Sequence, residues 1–256
     1  MNQGYIRTAS DDGLFTIYLC RPPVNVLNAT MMTQIHSALE VAEADDTVRA
    51  VMITGAGARV FSAGVEVADH SRERMQESMD VFHRLLAKLQ AFSLPTVAAL
   101  NGATMGGGLE LALACDMILS TADAKIGHPE IKLASIAVPG ILMLQGRMPP
   151  NRLVEFLAGG EPISGQEACA IGLVNRLVPK DGFEQECGNF IARFTRMSRP
   201  VLRLLKRVLV ESRGKTLESG IVPMSRIYVE ELLKLEDAAE GIEAFAQKRP
   251  PQWKHR

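Results

Sequence analysis

Three successive glycines, Gly106, Gly107 and Gly108, stand between an apolar run ending in Ala98-Ala99-Leu100 and a strongly apolar stretch with helical spacing. The first N–H groups of a helix have no intrahelical acceptor, and with the helix dipole they form a site for negative charge. With no side chains at these positions, an oxygen atom can approach those donors closely. Glu110 follows Gly107 by three residues, so both lie on one side of the first helical turn. A carboxylate then stands beside an oxyanion site. With Gly107 as N-cap, Glu110 equally suits the third helical position, where the dipole favours it and it makes half of a capping box. Glu130, in the sequence GHPE, taken alone fits a solvated loop acid.

Composition narrows the classes. At 256 residues and 47% hydrophobic the chain can form one large domain, or one domain with an appendage. A net charge of −1 carries no electrostatic footprint for nucleic acid or an anionic membrane. The basic residues of 193–207 (RFTRMSRPVLRLLKR) alternate with apolar ones at helical spacing, which reads as a solvated helix face, with phosphate binding as the alternative. Cys20, Cys115, Cys169 and Cys187 have no metal-ligand spacing, which argues against zinc and a disulfide framework and for a reducing compartment. No basic region precedes an apolar run at the start, and no apolar stretch reaches the roughly 20 residues of a membrane span. The expectation is a cytoplasmic protein with no metal, no nucleic-acid partner and no membrane.

Along the chain, residues 14–19 read as a strand after the turn Asp11-Asp12-Gly13, ended by Arg21-Pro22-Pro23. A helix over 31–42 and a buried strand over 49–54 follow. Gly55-Ala56-Gly57 starts like a dinucleotide fingerprint, but Val60 occupies the place of its third glycine. Residues 61–65 (FSAGV) form a small-residue turn able to open a second backbone N–H. The spacing predicts a helix over 72–92, stopped by Ser93-Leu94-Pro95, then strands over 96–100, 117–120 and 125–127. Residues 131–148 are apolar and glycine-containing; helices follow over 150–157 and 164–171. From Phe183 the pattern is wholly helical, over 183–197, 200–213, 216–235 and 238–247. The shift to helices alone marks a boundary near Ser198, dividing the chain into 1–198 and 199–256.

Six landmarks then occur in order: RPPVNVLN (21–28), FSAGVEV (61–67), GATMGGGLELALACD (102–116), IGHPEIKL (126–133), GLVN (172–175) and EGIEAFAQKRPPQW (240–253). In them the chain resembles the crotonase family, the enoyl-CoA hydratases and isomerases, over essentially its whole length. The resemblance implies an α/β fold, a spiral of ββα repeats with a C-terminal helical oligomerisation segment that builds trimers, which pair into hexamers. It implies an acyl-CoA substrate, coenzyme A being part of that substrate and no separate cofactor being used. Carried over by position, the backbone N–H groups of Val65 and Gly107 form an oxyanion hole for the thioester carbonyl. Glu110 and Glu130 match the two glutamates of the hydratase members, one as base and the other as acid, with Glu130 serving the α-carbon. Substrate contacts fall on Val24, Val26, Ala63, Val65, Glu66, Val67, Gly106, Gly107 and Pro129. Phe245 and Lys248 fall near the nucleotide, from a neighbouring subunit. His70, His83 and His128 read as structural or exposed, His128 standing out only as the neighbour of Pro129-Glu130.

After Leu133 the common hydratases continue with a glycine-rich stretch ending in TQR. Here ASIAVPGILMLQGRMPP keeps only Pro139-Gly140 and is otherwise apolar bulk. The segment belongs to the family's acyl pocket, and in it the chain is similar to the branch that hydrates cyclic dienoyl-CoA thioesters, the cyclohexa-1,5-diene-1-carbonyl-CoA hydratases of anaerobic aromatic degradation. An ordinary short-chain enoyl-CoA hydratase is the runner-up. An enoyl-CoA isomerase and an RNA-binding or assembly-partner relative stay open.

Overall fold

The computed structural model describes residues 4–57, 59–66 and 72–256, the side chains of 72–75 excepted. Strands β1 (Ile6–Asp11) and β2 (Leu14–Leu19) form an antiparallel hairpin. Its two-residue loop, Asp12 and Gly13, has positive φ at both positions (42° and 79°), the twist a tight hairpin requires. Helix α1 (Ala29–Ala44) starts at Asn28, whose side chain accepts from the Met31 N–H, and buries Met31, Met32, Ile35 and Leu39. It leads to β3 (Ala50–Gly55), buried throughout.

A unit then repeats. β4 (Val60–Ser62) precedes α2 (Arg72–Gln90); β5 (Thr96–Leu100) and β6 (Ala103–Met105) precede α3 (Gly107–Ala114); β7 (Met117–Ser120) and β8 (Lys125–Gly127) precede a 3₁₀ turn, Pro129–Leu133. β3, β5 and β7 enter a six-stranded sheet of order β1-β2-β3-β5-β7-β10, while β4, β6 and β8 enter a four-stranded sheet of order β4-β6-β8-β9. Each turn of the chain therefore adds one strand to each sheet and then a helix, which is the ββα spiral. The remaining elements are α4 (Val138–Leu144), α5 (Pro150–Gly159), β9 (Ile163–Ser164), α6 (Gly165–Ala170), β10 (Arg176–Leu177), α7 (Phe183–Thr195), α8 (Arg199–Glu211), α9 (Leu217–Glu230) and α10 (Glu236–Ala246).

The large sheet is covered on both faces. One carries the main core, including Ile17, Ile53, Leu85, Leu89 and Leu109; the other packs Met52, Val97 and Leu119 against Phe190 and Ile191 of α7. Burial on both sides explains why β3 and β5 read as unbroken apolar runs.

In the basic stretch 193–207, Arg193, Arg196 and Arg203 are exposed, as a solvated face expects, and two residues depart from that reading. Arg199 and Lys206 are 6% and 4% exposed, so they are internal cations rather than a solvated face. Arg199 donates to the carbonyls of Glu43, Asp45 and Val48 and pairs with Asp46, closing the C-terminal end of α1, where carbonyls lack partners. Lys206 pairs with Asp116, which also accepts from the backbone and hydroxyl of Thr96. Among the described residues no helix is long and apolar enough to cross a membrane.

Candidate active site

β4, β6 and β8 are parallel neighbours, and the chain leaving the carboxyl end of each carries one part of the site. β4 leads to Ala63-Gly64-Val65, β6 to Gly106-Gly107 and α3, β8 to His128-Pro129-Glu130.

Val65 makes a single parallel bridge to Leu27. The bridge uses its neighbours, with Leu27 N–H donating to Gly64 O (2.8 Å) and Glu66 N–H to Leu27 O (3.0 Å), so the Val65 N–H faces away from the ladder. Gly107 is the first residue of α3, and the N-cap is Gly106, one residue earlier than the sequence suggests. The N–H groups of Leu109 and Glu110 turn back to Gly106 O at 2.8 and 3.0 Å. Among the described residues, neither Val65 nor Gly107 gives its N–H to a partner within the chain.

Packing accounts for the three glycines. Gly106 has φ 52° and ψ −127°, a conformation that disfavours other residues, and a Cβ there would fall 2.8 Å from Glu130 Oε1. On Gly107 a Cβ would meet Val65 Cγ2 at 2.5 Å and lie 3.3 Å from Val65 N, which puts the two candidate donors side by side. On Gly108 it would strike Ser62 at 2.7 Å.

Glu110 is only 5% exposed. Its carboxylate does not fold back to cap α3; Oε1 accepts the N–H of Gly140, on α4, at 2.8 Å. Burial holds the Glu110 carboxyl above the usual carboxylate range, Glu130 adding to the shift, while the Gly140 N–H and His128 oppose it. Glu130 lies in the 3₁₀ turn with Oε1 3.3 Å from His128 Nδ1, and its buried Oε2 has no partner among the described residues.

A cavity of about 350 Å³ joins these groups. It is lined by Glu110, Glu130, Val65, Gly107, Gly106, Pro129, Ala63 and Gly64, by Ser78, Met79, Phe82 and His83 of α2, and by Leu133 and 135–139. The apolar segment beyond Leu133 thus forms a cavity wall. A second, more open cavity of about 500 Å³ shares Ala63 and Val65 and gathers Arg21, Pro22, Pro23, Val24, Val26 and Glu66. Val24 O accepts the Ala63 N–H at 2.9 Å, and Arg21 pairs with Glu66 at 3.0 Å. The two cavities thus adjoin at Ala63 and Val65. Val67 and His70 lie outside the described residues. Phe245, 86% exposed near the end of α10, and Lys248 just beyond it line neither cavity. His128, which the sequence leaves as structural or exposed, is a buried neighbour of Glu130. Its ring is buried, edge-on to Phe156 with centroids 6.0 Å apart, between the two glutamates; the signal was a titratable ring directly before Pro-Glu in an apolar strand end. Among the described residues no group of His, Cys, Asp and Glu could hold a metal ion.

Residues 9–256 match the family model described as enoyl-CoA hydratase/isomerase. The chain is 34% identical to a probable enoyl-CoA hydratase of Bacillus subtilis (strain 168), over 97% of this chain and 98% of that protein. It is 30% identical to the cyclohexa-1,5-dienecarbonyl-CoA hydratase of Thauera aromatica, over 96% and 95%. The crystal structure of an enoyl-CoA hydratase from Bacillus anthracis superposes with a TM-score of 0.93 at 27% identity, covering 98% of this chain and all of that one. With one family model running along nearly the whole chain and relatives alike over nearly their full length, the ββα spiral is the crotonase fold and the chain belongs to the enoyl-CoA hydratase/isomerase family of enzymes.

Proposed function

We propose that this enzyme adds water across the carbon–carbon double bond of an α,β-unsaturated acyl-CoA thioester. The observation that carries the reading is one cavity lined by two carboxyl groups, Glu110 and Glu130, and by two adjacent residues with free N–H groups, Val65 and Gly107. The water oxygen bonds to the β-carbon as Glu110 takes the water's proton. The π electrons move toward the thioester carbonyl, whose oxygen gains negative charge between the N–H groups of Val65 and Gly107. Glu130 delivers a proton to the α-carbon. One water is added, the two carboxyls exchange protonation states, and the next water returns the proton. The raised pKa of Glu110 makes it a stronger base than an ordinary carboxylate, with Gly140 holding one oxygen and leaving the other for water. Each oxyanion donor typically contributes about 10² to 10³ in rate, and positioned acid–base groups about 10² to 10⁴.

Coenzyme A runs along the groove of Val24, Val26, Ala63 and Glu66. Phe245 and Lys248 close over the nucleotide from a neighbouring subunit of a trimer or hexamer. The apolar side chains exposed on residues 199–256, Leu217, Ile221, Val222, Val229, Ile242 and Phe245, support burial in such an assembly. Four free cysteines fit the cytoplasm. An RNA-binding role loses two of the basic residues of 193–207, since Arg199 and Lys206 hold internal partners.

For the acyl group we propose a cyclic dienoyl thioester. The Thauera relative and the wall of Leu133, Ile136, Val138 and Pro139, which offers a ring apolar surface, support it. The Bacillus subtilis relative favours a short linear enoyl group as the second reading. Turnover of crotonyl-CoA and cyclohexa-1,5-diene-1-carbonyl-CoA in ¹⁸O-water, with Glu110→Gln and Glu130→Gln beside the parent, tests both. Label entering the cyclic product alone, and lost in both variants, is the expected result. Preference for crotonyl-CoA moves the enzyme to the linear reading, and no label in either product refutes hydration.

A further inference from the structure

We propose that His128 is a positioning residue for the acid–base pair, its one ring holding Glu130 directly and bracing the backbone that holds Glu110. This rests on the two-glutamate reading above. The ring is 1% exposed, with Nδ1 3.3 Å from Glu130 Oε1. With the acid proton of Glu130 on Oε2, Oε1 is left as an acceptor, so Nδ1 carries the hydrogen and donates to it. On the ring's far side Nε2 has no hydrogen-bond partner and lies against Gly140, where a Cβ would fall 2.6 Å from it. The Gly140 N–H is the donor that grips Glu110 Oε1 at 2.8 Å. Any shift of the ring therefore moves one carboxyl by a hydrogen bond and the other by contact.

The surroundings supply no competing partner. α4, packed over the ring, carries no titratable side chain, and α5 offers the edge of Phe156, its Arg152 and Glu155 pairing with each other at the surface. Glu110 and Glu130 are the charged groups that face the ring among the described residues. A purely structural filler between Phe156 and Gly140 would be served by an apolar side chain, since a buried ring nitrogen without a partner is destabilising.

The test compares His128→Leu, His128→Asn and His128→Gln with Glu130→Gln in the full-length protein. Each is assayed with whichever of the two thioesters the parent hydrates faster, for kcat, KM, Tm and exchange of the product's α-proton with D₂O. His128→Leu is expected to lose about 10²-fold in kcat, the effect of a misplaced catalytic group, with KM within about threefold. α-Proton exchange should fall in parallel, and at least one amide variant, still a donor, should recover to within about tenfold of the parent. If the leucine variant fails to fold, His128→Phe keeps the ring and removes the donor. A leucine or phenylalanine variant within threefold of the parent in kcat overturns the inference. So does an equal loss in all His128 variants that tracks Tm. If Glu130→Gln itself keeps full turnover, the two-glutamate reading has failed instead.

Discussion

Replacing Gly106 by alanine separates the two things this residue does. Its backbone sits at φ 52° and ψ −127°, and a side chain forced into such a region costs about 1–3 kcal/mol. For a chain of this size each kcal/mol lowers Tm by about 2–4 °C. The second effect is local: the new Cβ would lie 2.8 Å from Glu130 Oε1 and 3.5 Å from its Cδ. Ordinary carbon contacts need about 3.5 Å, so the carboxyl must retreat by roughly half an ångström or rotate away. A misplacement of about 1 Å costs up to about 10²-fold, so kcat should fall about 10- to 10²-fold with little change in KM. Gly172→Ala is the control, because Gly172 has φ 82° and nothing within 4 Å of its added Cβ, giving strain without contact. Both variants should lose Tm, measured by scanning calorimetry, and only Gly106→Ala should lose kcat when assayed below both transitions. Equal kcat in the two variants would refute the placement of Glu130 against Gly106.

Glu110→Gln bears on pH and stability together. A carboxyl whose folded pKa is raised adds stability below its unfolded pKa of about 4.5 that is lost as pH rises through the folded value. The glutamine variant should therefore be more stable than the parent at neutral pH, with the gap closing toward pH 4 in denaturant titrations. Lys206→Met leaves Asp116 with an unpaired charge and should destabilise by about 3 kcal/mol in urea unfolding, part of which Asp116→Asn restores in the double variant. Ile136→Ala and Leu133→Ala remove side chains 63% and 69% exposed, so stability should change by less than about 0.5 kcal/mol. The ratio of kcat/KM for the cyclic and linear thioesters should nonetheless shift about tenfold, because both side chains line the cavity.

What the sequence makes legible follows from how each pattern is produced. β3 and β5 lie in a sheet covered on both sides, so their apolar runs are unbroken, and α1 and α2 show helical spacing because each buries one face. β1 escapes notice because it is an edge strand with five of its six residues exposed, and β4 and β6, three residues each, are too short to show a period. Arg199 and Lys206 read as surface cations because their partners, Asp46 and Asp116, are far away in the chain. At the site, motif order alone brings Val65, Gly107, Glu110 and Glu130 to one cavity. Spacing left the capping and site readings of Glu110 both open, since its observed donor, Gly140, is thirty residues away on α4. His128 adjoins Glu130 in the chain, but its contact with Gly140, on α4, is not visible in local spacing.

The site's rigid and adjustable parts are joined at one point. Val65, Gly107 and Glu130 follow three neighbouring parallel strands about 4.8 Å apart, so the candidate donors and one carboxyl inherit their separation from the sheet. The acyl wall belongs to no sheet. It includes Leu133, at the end of the 3₁₀ turn, and beyond Ala134, held in the left-handed region at φ 52°, it runs to Pro139 in the first turn of α4. Gly140, the next residue, gives its N–H to Glu110 and packs on His128. A change in 134–139 that tilts α4 would therefore alter acyl selectivity and the position of Glu110 together. Pro139 lines the cavity with Leu133 and 135–138, while Gly140 binds Glu110, so cavity wall and grip are consecutive in the chain. On the proposed reading, exchanging side chains at 133 or 135–138 should change acyl preference and leave the Gly140–Glu110 hydrogen bond in place.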